Sequence, residues 1–199
     1  MDDKPLLDRL MAFLDASPTP FHATANLAAL LTDAGFTALD ETDTWRLSAG
    51  QGYFVVRADA SIVAFRLGDA AGDGLRMAGA HTDSPCLKLK PNSYRSAAGY
   101  RQFGVEVYGG VLLNPWFDRD LSVAGRVTVR TDGGRLVNRL VDFRDPIAIV
   151  PSLAIHLDRE ANESRSINAQ TMLPPVVALA ADQKTPLADL LLERVELES

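Results

Sequence analysis

Leu6, Leu7, Leu10, Met11, Phe13 and Leu14 recur at three- and four-residue spacings, which predicts an amphipathic helix ending near Ser17-Pro18. Its apolar stripe calls for a sheet to pack against. In Ser17-Pro18-Thr19-Pro20-Phe21-His22 the two prolines hold an extended link. Thr19 reads there as an N-cap ahead of a proline in the first helical turn. A second helix then runs to Gly35, with Leu27, Leu30 and Leu31 as its core stripe and Gly35 as a left-handed terminator. His22, in the first turn of that helix, reads as a capping or packing residue rather than a ligand.

The period then changes from that of a helix to that of a strand. Residues 52–58, 61–67 and 75–81 alternate or run apolar as strands do, separated by Asp59-Ala60 and by a Gly/Asp/Ala-rich stretch at 68–74. The first two form a predicted hairpin. Alternation resumes at Leu87 and Leu89, but Pro91-Asn92-Ser93 and Ser96-Ala97-Ala98-Gly99 interrupt it, predicting a boundary that divides the chain into domains 1–91 and 92–199. Beyond it strand follows strand to about residue 150. Val105 and Val107 lie ahead of Gly109-Gly110, Asn114-Pro115 opens a turn into Trp116, and 121–130 and 135–142 flank the hairpin signal Asp132-Gly133-Gly134. An apolar segment at 151–157 reads as a strand with one histidine, His156, and a lone histidine on such a strand is ordinarily a core residue with one hydrogen bond. Another apolar stretch at 174–181 and a leucine-rich one at 187–197 follow.

Composition narrows the function classes. The 199 residues are 47% hydrophobic and 23% charged, the balance of an ordinary globular protein able to bury a core. A net charge of −6, a pI near 5.0 and no clustering of Lys and Arg on one face argue against nucleic acid and other polyanions as partners. The single cysteine, Cys86, excludes an internal disulfide and a cysteine-based zinc site; it reads as a small core residue and fits a reducing compartment. The first residues pass directly into the amphipathic pattern, so neither a signal peptide nor a membrane span is expected and the cytoplasm is the expected location.

Chemistry is expected at Ala80-His81-Thr82-Asp83-Ser84-Pro85-Cys86. Pro85 cannot donate to a ladder, which places His81 at the carboxyl end of the strand predicted over 75–81, where sites form in open α/β sheets. Residues i and i+2 of an extended chain point the same way. Asp83 can therefore approach the imidazole, fix its tautomer and leave the other nitrogen free for a metal. The alternative is a strand-end histidine beside a turn aspartate that caps local amides. Local chemistry leaves both open.

Five motifs taken together resemble the aspartyl aminopeptidases, a family of metal-dependent exopeptidases. They are Ser17-Pro18-Thr19-Pro20-Phe21-His22-Ala23, the segment 79–85, Gly104-Val105-Glu106-Val107-Tyr108-Gly109-Gly110, Trp116-Phe117-Asp118-Arg119-Asp120-Leu121-Ser122 and the segment 151–157. The resemblance covers essentially the whole chain. It implies an α/β fold: the N-terminal part of a zinc-exopeptidase-like domain, followed by a β-rich dimerisation or assembly domain. It implies that His81 binds zinc in a two-metal site and that Asp83 orients it. It places His156 in the active-site region, either as a zinc-associated residue or as a substrate contact reaching in from a neighbouring subunit. Asp118, Arg119, Asp120 and Glu106 read instead as structural charges, because opposite charges around an Arg fork pair without metal.

The function implied is that of a zinc aminopeptidase releasing N-terminal, preferentially acidic, residues from peptides, acting as a homo-oligomer. Nitrogen and oxygen donors also accept manganese or cobalt. A two-metal hydrolytic site needs more carboxylates and a general base than the motifs supply. The resemblance puts the missing groups in a C-terminal half, so the chain is expected to be an N-terminal fragment, inactive by itself. The rival expectation is a non-catalytic module that mediates subunit contacts.

Overall fold

A computed structural model describes residues 4–68, 74–181 and 187–197. Two compact units result, Met1–Ser84 and Pro85–Ser199, and each is taken by itself.

The first unit contains helices α1 (Lys4–Asp15) and α2 (Pro20–Asp33) and a three-stranded sheet of β1 (Thr37–Ala38), β2 (Gly52–Arg57) and β3 (Ser61–Arg66), in the order β1-β2-β3. The punctuation expected around α2 is present. Thr19 takes an extended conformation and its hydroxyl accepts from the His22 amide, with Pro20 in the first turn. The His22 ring Nδ1 lies 2.7 Å from the same hydroxyl, in keeping with the capping role. At the other end Gly35 has φ +81, and the amides of Gly35 and Phe36 return to Thr32 and Leu31, as a left-handed terminator requires. α2 packs on the sheet, with Ala23, Thr24, Tyr53 and Phe54 buried.

α1 departs from expectation. It meets α2, while Leu6, Leu7, Leu10, Met11 and Leu14 keep between 50% and 67% of their surface exposed. Three strands span about 10 Å, the width of one helix, so α2 occupies the face that α1 would need. The strand expected at 75–81 also fails to form: the segment joins no ladder among the described residues, and Leu75 and Met77 are 82% and 83% exposed. A strand exists by pairing its N–H and C=O groups, and no neighbour among the described residues offers them. Residues 69–73 of the expected linker lie outside the described residues.

The second unit is built on a five-stranded antiparallel sheet in the order β4-β5-β10-β9-β6, from β4 (Cys86–Ala97), β5 (Tyr100–Tyr108), β6 (Asp120–Leu121), β9 (Ala148–Ile149) and β10 (Val176–Leu179). β7 (Ala124–Arg130) and β8 (Leu136–Asp142) pair residue for residue as the hairpin expected around Asp132-Gly133-Gly134. Helix α3 (Leu187–Leu197) packs on β8, with Arg194 donating to the carbonyls of Asp142 and Phe143.

The chain does not break at Pro91. β4 runs through it, and the register with β5 slips between Leu89 and Tyr94, so the proline that cannot donate lies in a bulge. Asn92 there has φ 56, and opposite it a Cβ on Gly104 would stand 3.2 Å from the Ser93 carbonyl oxygen. The core consists of Phe103, Val105, Phe117, Val150 and Leu173. Cys86 is half-buried at the start of β4.

In the first unit Gly52 marks a close approach: a Cβ there would lie 2.7–2.8 Å from the Phe36 ring. Gly52→Ala is expected to destabilise the chain by about 1–3 kcal/mol, the range for overpacking. Urea unfolding of the 199-residue chain checks this, and an unchanged midpoint would contradict it.

Candidate functional site

Two of the three residues singled out by the sequence meet in the first unit. His81 Nδ1 lies 2.7 Å from the backbone carbonyl oxygen of Asp83 and 3.2 Å from its Oδ1. Both partners accept, so Nδ1 carries a proton, and in the neutral ring the lone pair is then on Nε2. The main-chain carbonyl is the nearer partner, so the tautomer depends on the path of the backbone as well as on the carboxylate. That contact comes from a bend at Thr82 rather than from a strand end, a position the unpaired 75–81 segment does not supply.

A second tie fixes the segment. The Thr82 hydroxyl donates to the Ala60 carbonyl at 2.8 Å. Ala60 belongs to the β2–β3 turn, where Ala58 and Asp59 take left-handed conformations with φ 53 and 58. Thr82 thus fastens the residues on either side of it to the first unit's sheet. It reads as part of a His-Thr-Asp string in the sequence, but its acceptor is 22 residues away and had no local signal.

The His81 imidazole is solvent-exposed and suits zinc, which takes neutral imidazole through the nitrogen left basic by a hydrogen bond at the other. Among the described residues no three His, Cys, Asp or Glu side chains converge as a metal cluster. The donor set therefore fits one zinc ligand and does not complete a centre.

His156 lies in the second unit, and the structure corrects the setting expected for it. Residues 151–157 are not a strand: the last ladder pair belongs to β9, Val150 makes an isolated bridge to Phe117, and 155–157 form a turn. The Leu157 and Asp158 amides both donate to the Ala154 carbonyl, at 2.8 and 3.2 Å. His156 is exposed on that turn rather than held in the core.

Asp118 touches the same loop. It has φ 53, its amide donates to the Val150 carbonyl at 2.9 Å, and its Oδ1 accepts from the Ser152 amide at 2.8 Å. It is structural, as the sequence suggested, but its partner is a backbone amide rather than Arg119.

The Ser152 hydrogen bond, with the Arg165 guanidinium contributing less, holds the Asp118 carboxyl below its ordinary value of 3.8. A depressed carboxylate contributes its stabilisation above the unfolded value and loses it only as pH falls through the lower folded one. The Ser152 amide resonance is expected to titrate with a midpoint below 3.8, and that titration should disappear in Asp118→Asn. A midpoint at or above the ordinary value would show the bond absent in solution.

The chain matches the family described as Aminopeptidase I zinc metalloprotease (M18) over residues 13–193. It is 58% identical over 179 residues to a probable M18 family aminopeptidase 2 of Stutzerimonas stutzeri, covering 89% of this chain and 42% of that protein. It is 55% identical over 192 residues to one of Pseudomonas syringae, covering 95% and 44%. The chain therefore spans less than half the length of these curated relatives. Among solved structures it superposes on that of Chaetomium thermophilum mApe1 with a TM-score of 0.83 at 33% identity, over 97% of this chain and 46% of that one. On a chain in the cryo-EM structure of the Ape4 and Nbr1 complex the TM-score is 0.88 at 41% identity, over 94% and 39%. A yeast mApe1 structure, described as a dodecamer, matches with a TM-score of 0.74 at 27% identity, over 99% and 45%. With the family matched across nearly the whole sequence, this chain belongs to the M18 aminopeptidases, a family of zinc metalloproteases.

Proposed function

We propose that this chain works as part of a zinc aminopeptidase that removes N-terminal residues, acidic ones by preference, from peptides. The observation that carries the reading is the His81 ring held at Nδ1 by two acceptors of Asp83, which leaves Nε2 as a metal-ligating nitrogen. His81 would hold one zinc of a two-metal site, the other ligands coming from sequence beyond those described. Zinc, when bound, supplies a Lewis acid that activates water and polarises the scissile carbonyl; manganese or cobalt could take its place.

Around that centre the chain's own residues position and donate. Asp83 keeps the proton on Nδ1, and Thr82 holds the intervening backbone on the β2–β3 turn. His156, exposed on its turn, is free to reach a peptide rather than a core partner. Its role is to donate a hydrogen bond to the substrate's backbone or developing oxyanion. In a homo-oligomer it would do so at a neighbouring subunit's metal site. The absence of a complete ligand cluster among the described residues also favours a second reading, in which these 199 residues alone form a non-catalytic assembly module.

In the full-length polypeptide His81→Ala is expected to lose most bound zinc. Asp83→Ala should weaken zinc by about 10-fold or less, the low end for a supporting group, because the nearer main-chain carbonyl survives the substitution. Zinc analysis checks both, and unchanged zinc in His81→Ala would sink the reading.

The 199-residue chain alone is expected to show no turnover of an acidic aminoacyl substrate above a metal-only control. Full-length His81→Ala and His156→Phe, each impaired, should regain activity at some sites when their subunits are exchanged. Proven exchange with no recovery would exclude action in trans.

A further inference from the structure

The loop that carries His156 is held more firmly than an exposed turn of its length requires. At its start Asp118 accepts from the Ser152 amide at 2.8 Å. In its middle the Ala154 carbonyl takes the amides of Leu157 and Asp158. At its end Arg165 Nε stands 3.2 Å from Asp158 Oδ2, within ion-pair reach although not aligned as a hydrogen bond. The Arg165 guanidinium lies 4.2 Å over the centre of the Phe117 ring, and only 14% of its side chain is exposed.

Phe117 belongs to the buried core and is the residue before Asp118. Both ends of the loop are therefore fixed to one point of the core, and between them His156 is exposed together with Leu153, Ile155 and Leu157. A loop needed only to connect strands does not call for an arginine taken out of water to close it, since desolvating the guanidinium costs free energy that one cation–π contact and one ion pair offset only in part.

We propose that Asp118 and Arg165 are positioning residues for His156. They clamp the two ends of the 152–158 loop onto Phe117, so that the backbone carrying the imidazole is held in one place. The role rests on the reading that His156 contacts substrate. Its chemical logic is that a group misplaced by about 1 Å can lose up to about 100-fold in rate without any loss of binding. Asp118 suits the position twice over: an aspartate tolerates the left-handed backbone that its φ of 53 demands, and its short carboxylate reaches the amide two residues past Val150. Arg165 suits its own because a planar guanidinium can stack on a ring and face a carboxylate at once, which a lysine cannot do.

The test uses two readouts. In the 199-residue chain, hydrogen exchange at the Ser152 amide is expected to quicken about 10-fold in Asp118→Ala and to return to within about twofold in Asp118→Asn, which keeps an acceptor oxygen. Should Asp118→Ala not fold, Asp118→Gly removes the acceptor while permitting the left-handed backbone, and carries the same comparison. In the full-length polypeptide, Asp118→Ala and Arg165→Lys are expected to lower kcat about 10-fold with KM and zinc content within about twofold. Asp118→Asn should recover most of kcat.

A Ser152 amide that exchanges at the wild-type rate in Asp118→Ala overturns the clamp. So does an unchanged kcat in Asp118→Ala and Arg165→Lys when His156→Phe lowers it. If His156→Phe itself leaves kcat unchanged, the substrate contact is wrong and the positioning role falls with it.

Discussion

The burial of Val150 is the constraint on which the second unit depends. With no exposed surface, in one core cluster with Phe103, Val105, Phe117 and Leu173, its carbonyl has no water to turn to and must find a donor inside the protein. The Asp118 amide supplies it. That one hydrogen bond draws the 117–118 segment alongside the end of β9, aligns Phe117 with Val150 in a parallel bridge, and puts the Asp118 side chain beside Ser152. The loop carrying His156 begins there. A demand made by the core therefore reaches an exposed histidine six residues further along the chain.

The first unit works by a different rule. Its site segment is held by a side chain: the Thr82 hydroxyl on the Ala60 carbonyl. The residues leading up to it, 75–81, expose Leu75 and Met77 and are joined to no strand among the described residues. The exposed stripe of α1 belongs to the same pattern. These surfaces have the composition of a sheet and helix interior, and the M18 relatives matched by this chain are more than twice the length it spans. Among the described residues the His81 ring has its Nδ1 proton held by Asp83, and no cluster of three His, Cys, Asp or Glu side chains forms.

His81 and His156 show two ways of readying a histidine. At His81 the ring is tied at one nitrogen, which settles the tautomer and leaves the other basic. At His156 it is the backbone that is tied, at Ser152, Ala154 and Asp158, while the ring stays in solvent. The first suits a ligand that must keep a lone pair directed outward. The second suits a donor that must be in place before its acceptor arrives.

Local chemistry was legible in the sequence. Thr19-Pro20 capped α2, Gly35 ended it, Asp132-Gly133-Gly134 turned the β7–β8 hairpin, and His81-x-Asp83 met as i and i+2 neighbours. Each depends on groups within a few residues, whose geometry the backbone dictates wherever the rest of the chain goes. The family too was legible, because five motifs in order are a property of sequence. Tertiary structure alone decided whatever needed a distant partner. Residues 75–81 have a strand's pattern but no strand beside them among the described residues, and Pro91 looked like a boundary until β5 accommodated it in a bulge. Residues 151–157 read as an apolar strand until the ladder ended at β9 and Asp118, 34 residues away, took hold of Ser152. Periodicity states which face a residue would turn to a neighbour; only the folded chain determines whether the neighbour is there.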